Sequence, residues 1–210
     1  MRFLIFGGTG GTGQRLIAQA LERGDEVTAF IRTPSRMPLS HPRLRKLQGD
    51  ITDPESIRRA VPGHTAVLSA LGTKPFKGPT TVLSEALKEI LAAMHASNMR
   101  RLIWESSIGV GDTRGQLGPF YNRVLVPLLL RHIFDDKERQ EAILRASPLE
   151  WVIVQPGALT NGPLTKKYRA GRDVCRERKL PRISRADVAH FMLNEAAHPT
   201  SAQQSVVLCY

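Results

Sequence analysis

The chain has 210 residues, 41% hydrophobic and 23% charged, which is the composition of an ordinary globular protein with room for one full α/β core but not two. Its formal net charge of +11 asks for an anionic partner. The longest apolar run, 124–130, is broken by Pro127 and is too short to span a bilayer, and no signal-peptide pattern precedes it, so no membrane association is expected.

The chain opens on a short β-prone segment, Phe3 to Phe6, that runs into a glycine-rich turn and then a helical pattern. Gly8, Gly10 and Gly13 fit G-x-G-x-x-G, while Gly7, Gly10 and Gly13 fit G-x-x-G-x-x-G. Between a strand and a helix, such a loop makes a tight turn, lets the backbone approach a pyrophosphate and packs the helix closely on the strand. The helix N-terminus then turns its unpaired N–H groups toward the phosphates. This predicts a dinucleotide site.

Residues 26–31 read as a second strand. An acidic residue at its end would hold the ribose 2′-hydroxyl of NAD, but this chain has Arg32, followed by Ser35 and Arg36. Two guanidinium groups and a hydroxyl suit a 2′-phosphate, so NADPH is the expected cofactor. A third strand at 44–48 ends before Asp50, which falls where an adenine amino group is held; a helix cap by Asp50 or Thr52 is the alternative. A fourth strand, 64–69, leads to the small-residue turn Ala70-Leu71-Gly72-Thr73, at the edge where open α/β sheets bind ligands.

Helical spacing covers 79–98, and 101–106 is a fifth strand followed by Ser107. Ser106 and Ser107 can hydrogen-bond a nicotinamide or a substrate carbonyl, or cap the local turn. Residues 119–146 read as helical with a kink or break at Pro127. A sixth strand, 150–155, leads to Pro156 and Leu159; residues 161–181 read as a basic, irregular loop. Nine Lys and Arg side chains stand between Lys166 and Arg185. Without a helix-turn-helix, zinc-finger or RNP signature they are read as a solvated basic face that draws in an anionic cofactor and substrate, and nucleic acid is disfavoured. Ser184-x-x-Asp187 caps a last helix to about 198, and 205–209 closes as a strand. His95 and His190 are expected to be structural. The alternation predicts α/β: a single doubly wound parallel sheet (Rossmann fold) with helices on both faces, one NAD(P)-binding domain over 1–210.

Cys175 and Cys209 make no C-x-x-C, and no disulfide framework is expected from them; a reducing cytoplasm is the simplest setting. No histidine cluster has metal-ligand spacing, and no G-x-S-x-G or G-x-x-x-x-G-K-[ST] occurs. A Tyr-x-x-x-Lys pair is also missing: Leu125 stands four places after Tyr121, and Arg172 four after Tyr168. Without that acid/base, alcohol–ketone chemistry is disfavoured, and hydride transfer to an already electrophilic acceptor remains.

Ile5 to Gly13, Val27 to Arg32 with Ser35-Arg36, Gly49-Asp50, Leu71-Gly72-Thr73, Pro79 to Glu85, Gly162 to Thr165 and Ile183 to Leu193 together resemble the atypical short-chain dehydrogenases, in particular the biliverdin-IXβ reductase/flavin reductase family. The resemblance implies that Gly7, Thr9, Gly10, Gly11, Thr12 and Gly13 hold the pyrophosphate and that Arg32, Ser35 and Arg36 hold the 2′-phosphate. It places Asp50 and Ile51 at the adenine, and Leu71, Gly72 and Thr73 at the ribose side. Ser106, Pro156 and Leu159 then complete the cofactor site, with Ser107 beside nicotinamide and substrate. There are departures: Ala158 stands where the animal enzymes carry a histidine, and Glu105 replaces a small neutral residue. The expected activity is NADPH-dependent reduction of a flavin (FMN or riboflavin) or a linear tetrapyrrole such as biliverdin, by a monomer acting on a small molecule. A non-catalytic NADP(H) sensor of NmrA-like type, working through a protein partner, is the alternative.

Overall fold

The computed structural model describes residues 1–72, 79–176 and 180–210. In chain order, β1 (Arg2–Phe6), α1 (Gly11–Glu22), β2 (Glu26–Ile31), β3 (Leu44–Gln48), α2 (Pro54–Ala60) and β4 (Ala66–Ser69) form the first half. The second half holds α3 (Val82–Ala96), β5 (Arg101–Glu105), a π-helix (Tyr121–Leu130), α4 (Arg131–Arg145) and β6 (Glu150–Pro156). It closes with β7 (Ala158–Thr160), β8 (Arg169–Gly171), β9 (Arg182–Ser184), α5 (Arg185–Ala197) and β10 (Gln204–Cys209).

An eight-stranded sheet runs β3-β2-β1-β4-β5-β6-β10-β8, parallel except where β8 pairs antiparallel to β10. The inner strands β1, β2, β4, β5, β6 and β10 are buried on both faces and read as mostly apolar runs, whereas the edge strands β3 and β8 are partly exposed. Alternation along them divides the core. Phe3 and Ile5 face α1 and α5 with Leu16, Ile17 and Val188, whereas Leu4 and Phe6 face α2 and α3 with Ile57, Leu87 and Ile90. Each such side chain, fully buried, stabilises the fold by about 1.5–3 kcal/mol. The expected doubly wound parallel sheet with helices on both faces is what the chain forms.

Three differences from the sequence expectations have physical causes. The supposed irregular loop 161–181 contains β8 at the sheet edge, and β7 pairs parallel with β9 as a small separate ribbon. These strands are three residues long and carry no alternation that a window could register. Second, the helical stretch is not one α-helix with a kink or break: residues 121–130 wind as a π-helix with Pro127 inside it, and regular α-helix begins at Arg131. Third, Cys175 and Cys209 are joined as a disulfide, closing a sequence separation of 34 residues. The β8–β10 pairing brings the two positions together, a contact that cysteine spacing does not encode, and the spacing argument for a cytoplasmic setting falls with it. No helix among the described residues is long and apolar enough to cross a membrane.

Candidate dinucleotide and acceptor site

Because β1 to β6 are parallel, the segments leaving their C-terminal ends meet along one edge of the sheet. The glycine loop after β1, Arg32 after β2, Asp50 after β3, Leu71-Gly72 after β4, Ser106-Ser107 after β5 and Pro156 at the end of β6 all lie there. The strand order reverses between β1 and β4, which is the crevice where ligands bind in open α/β sheets.

The loop itself fits a pyrophosphate. Gly7 has φ +80°, and a Cβ on it would stand 2.4 Å from the Ala70 carbonyl oxygen. A Cβ on Gly13 would stand 2.1 Å from the Gly7 oxygen, so both positions exclude any side chain. Gly10, the exposed N-cap of α1, has no side chain to satisfy the helix's first N–H groups, and its own N–H donates to Gly7 O at 2.9 Å. With no acidic residue in the first turn, the helix end is open to an anion. Thr9 flanks this opening and Thr12 is buried just inside it.

At the tip of β2, Pro34–Arg36 form a 3₁₀ turn anchored by buried Met37, which reaches under Gly8. The anchor leaves Arg32, Ser35 and Arg36 exposed together. Asp50 accepts from the Thr52 N–H at 2.9 Å and hydroxyl at 2.8 Å, which holds its carboxyl below the usual range, with the Arg32 charge contributing. The cap of α2 is Asp53, which accepts from the Glu55 N–H at 3.0 Å, so neither Asp50 nor Thr52 performs that task. Ile51 and Leu71 pack partly against the core, and Gly72 is exposed with open space around it. Thr73 lies outside the described residues.

The two serines after β5 diverge. Ser106 is buried and donates to Glu141 Oε1 at 2.6 Å, inside a network in which Gln155 (2.9 Å) and Arg145 (2.9 Å) also bind that carboxylate. Ser107 is only partly buried, and its hydroxyl donates locally to the Ile108 carbonyl at 3.1 Å. Of the pair, Ser107 has the hydroxyl that can turn toward a ligand. Pro156 is buried and its carbonyl takes the Ile108 N–H; Leu159, half-buried on β7, packs on the core beneath.

Charged groups to which sequence reasoning gave no role cluster at the same edge. Glu105, only 7% exposed, accepts from the Thr12 hydroxyl at 3.1 Å, and burial pushes its carboxyl up against the opposing pull of Lys137, Thr12 and Arg185. Burial pushes the Lys137 ammonium down, countered by Glu105, Glu141 and Asp136. The two shifts run in opposite directions, each opposed by the charge of the other group. Ile133 stands four places before Lys137, so a search that starts from tyrosines passes over this lysine. Tyr168 does not fill the gap: it is paired with His190 Nδ1 at 2.9 Å, and burial, with Asp187, pushes it up to about 12.

A cleft of about 490 Å³ opens beside the Ser107–Gly109 turn, lined by Gly109, Arg114, Val126, Pro127, Arg131 and Phe134. Next to it the π-helix exposes Phe120, Leu128 and Leu129. Arg114 pairs with Glu138 and Arg131 with Asp135. Another cleft, about 420 Å³, involves Arg2, His64 and Arg101 at the opposite sheet edge, far along the strands from the glycine loop.

A profile described as NAD(P)H-binding matches residues 7–199, nearly the whole chain. The protein belongs to this NAD(P)H-binding family. A 3-beta-hydroxysteroid dehydrogenase of Mycolicibacterium neoaurum is 34% identical over 120 residues, 52% of this chain; the match spans about a third, 32%, of that longer protein. Among solved structures, ChuY, an anaerobillin reductase from Escherichia coli O157:H7, superposes with TM-score 0.82 at 23% identity, covering 100% of this chain and 97% of that one. A short-chain dehydrogenase/reductase from Veillonella parvula, solved in complex with NADP, gives TM-score 0.81 at 19% identity, covering 100% and 94%. At those identities the two structures establish a shared fold. NAD(P)H binding by this family agrees with the open helix end and side-chain-free loop.

Proposed function

We propose that this protein is an NADPH-dependent reductase that passes hydride to a conjugated acceptor, a flavin or a linear tetrapyrrole, acting as a monomer on a small molecule. The observation that carries the reading is the convergence on one sheet edge of the glycine loop, the exposed Arg32–Ser35–Arg36 group and the half-buried Ser107 hydroxyl beside a cleft lined by both apolar and charged side chains. When bound, the reduced nicotinamide supplies the hydride. The chain's own residues do the rest. Gly7 to Gly13 receive the diphosphate with Thr9 and Thr12 alongside, and the arginines at the β2 tip select the 2′-phosphate. Asp50, Ile51, Leu71 and Gly72 border the adenosine. Ser107 orients nicotinamide or acceptor, and Ser106, locked to Glu141, fixes where Ser107 stands. Pro156 and Leu159 floor the nicotinamide end.

The acceptor class follows from what the edge lacks. Tyr168 is bonded to His190 and its pKa is pushed up to about 12, which makes it a poor acid for a weakly electrophilic ketone. A conjugated acceptor needs positioning more than a strong proton relay, since water can supply the proton. The exposed apolar side chains Phe120, Leu128 and Leu129 suit a large flat molecule. The likeness in fold to ChuY supports a tetrapyrrole among the candidates.

The test is NADPH oxidation followed by absorbance, with FMN and biliverdin as separate acceptors and NADH as the control. Protein-dependent oxidation that prefers NADPH supports the reading. Tight NADPH binding without turnover on either acceptor sinks it and favours a non-catalytic sensor.

A further inference from the structure

Arg185, the first residue of α5, lies across the start of α1. A Cβ placed on Gly11 would stand 2.6 Å from Arg185 Cδ and 2.7 Å from its Nε, so glycine at this position makes room for the arginine as well as for a ligand. The guanidinium is half-buried, and its NH1 donates to Asn161 Oδ1 at 2.8 Å. Asn161 is exposed and opens the segment leading through Thr165 and Lys166, whose N–H groups are held by Asp187 on the same helix. Arg185 is thus a cation parked on a neutral amide, directly over the start of α1, whose first turn holds no acidic residue. A neutral amide is a weaker partner for guanidinium than a diphosphate, which accepts two parallel N–H bonds.

We infer that Arg185 exchanges its Asn161 hydrogen bond for the dinucleotide's diphosphate, clamping the cofactor from the α5 side and freeing Asn161. This rests on the dinucleotide site proposed above and adds a second arginine anchor, distinct from Arg32 and Arg36. The two anchors grip different phosphates: those at the β2 tip the 2′-phosphate, and Arg185 the bridging pair. The exchange also links cofactor arrival to the segment after β7, because that segment loses one of its tethers to α5 when Asn161 is released.

The test is calorimetric titration of the whole chain with NADPH and, separately, with 2′-AMP, which carries the 2′-phosphate but no diphosphate. Arg185→Ala should weaken NADPH by about 10- to 100-fold and leave 2′-AMP unchanged; Arg185→Lys, keeping charge but not the fork, should fall between. Asn161→Ala removes the competing partner and should tighten NADPH by about two- to fivefold. Unchanged NADPH affinity in Arg185→Ala overturns the inference, as does an equal loss for both ligands, which would mean the variant disturbs the loop as a whole. Weakened or unchanged NADPH binding in Asn161→Ala overturns the exchange. If the unaltered protein binds no NADPH, the dinucleotide reading itself fails, a result separate from any of these.

Discussion

The Thr12 hydroxyl donates to Glu105 Oε1 at 3.1 Å, tying the first turn of α1 to the end of β5 across 93 residues of sequence. This bond sets a buried carboxyl beside the loop that receives the dinucleotide. Burial raises the Glu105 pKa above 4.5, so from that pH up to its folded value the folded chain keeps a proton that the unfolded chain has released. Folding therefore weakens as pH rises through this window. Glu105→Gln removes the dependence and should stabilise the protein at pH 7 by about 1 kcal/mol, a rise in Tm of about 2–4 °C. Thermal melts at pH 4.5 and 7 check it: the gain should be smaller at the acid end.

His64 carries the opposite sign. Its Nδ1 faces the Val61 carbonyl at 3.0 Å and its Nε2 the Thr28 hydroxyl at 2.9 Å, and burial lowers its pKa below 6.5. The neutral ring contributes stability that is complete above 6.5 and lost as pH falls through the folded value. His190, likewise lowered by burial, adds to the same trend. The Tm should fall between pH 6.5 and 5, and His64→Gln should flatten part of that fall. An identical pH profile in the variant would exclude His64 as a contributor.

The disulfide joins β10 to the segment after β8 over 34 residues, a loop whose closure stabilises by about 3–4 kcal/mol in the chain-entropy picture. Cys175→Ser should lower stability by about 2–4 kcal/mol in denaturant titration under non-reducing conditions, and dithiothreitol should shift the parent protein by a similar amount. The glycine loop lies on other strands, so NADPH affinity should be little affected.

The difference between these bonds explains what could be read in the sequence. The β1–loop–α1 unit is local: its apolar run, glycine spacing and helical pattern sit within about twenty consecutive residues, and the structure forms it as expected. The exposed grouping of Arg32, Ser35 and Arg36 at the β2 tip is local in the same way, as is the cap in which Ser184 accepts from the Asp187 N–H at 3.0 Å. Glu141, by contrast, gathers Ser106, Gln155 and Arg145 from three elements, and nothing near it in sequence marks it as their hub. Lys137 and Arg185 reach the site only because α4 and α5 pack on opposite faces of one sheet. β8 is short, and its pairing with β10 spans the chain's last forty residues, so neither the strand nor the cysteine contact has a local signature.

Ser107 and Ser106 should separate in mutagenesis. Ser107→Ala should lower kcat with oxidised FMN or biliverdin as acceptor by about tenfold while leaving Tm within about 1 °C, since its hydroxyl holds only a local carbonyl. Ser106→Ala leaves the buried Glu141 carboxylate short of a donor and should cost about 1–3 kcal/mol of stability. Activity assays beside thermal melts on both variants distinguish the positioning serine from the structural one.

The dinucleotide site is tested most directly by comparing NADPH and NADH dissociation constants by calorimetry for the parent chain and for an Arg32→Ala/Arg36→Ala variant. The parent should prefer NADPH by about 10- to 100-fold, and the variant should lose that preference by weakening NADPH while leaving NADH nearly unchanged. Equal affinity for the two cofactors in the parent chain, or an unaltered preference in the variant, would contradict the assignment of the β2 tip to the 2′-phosphate.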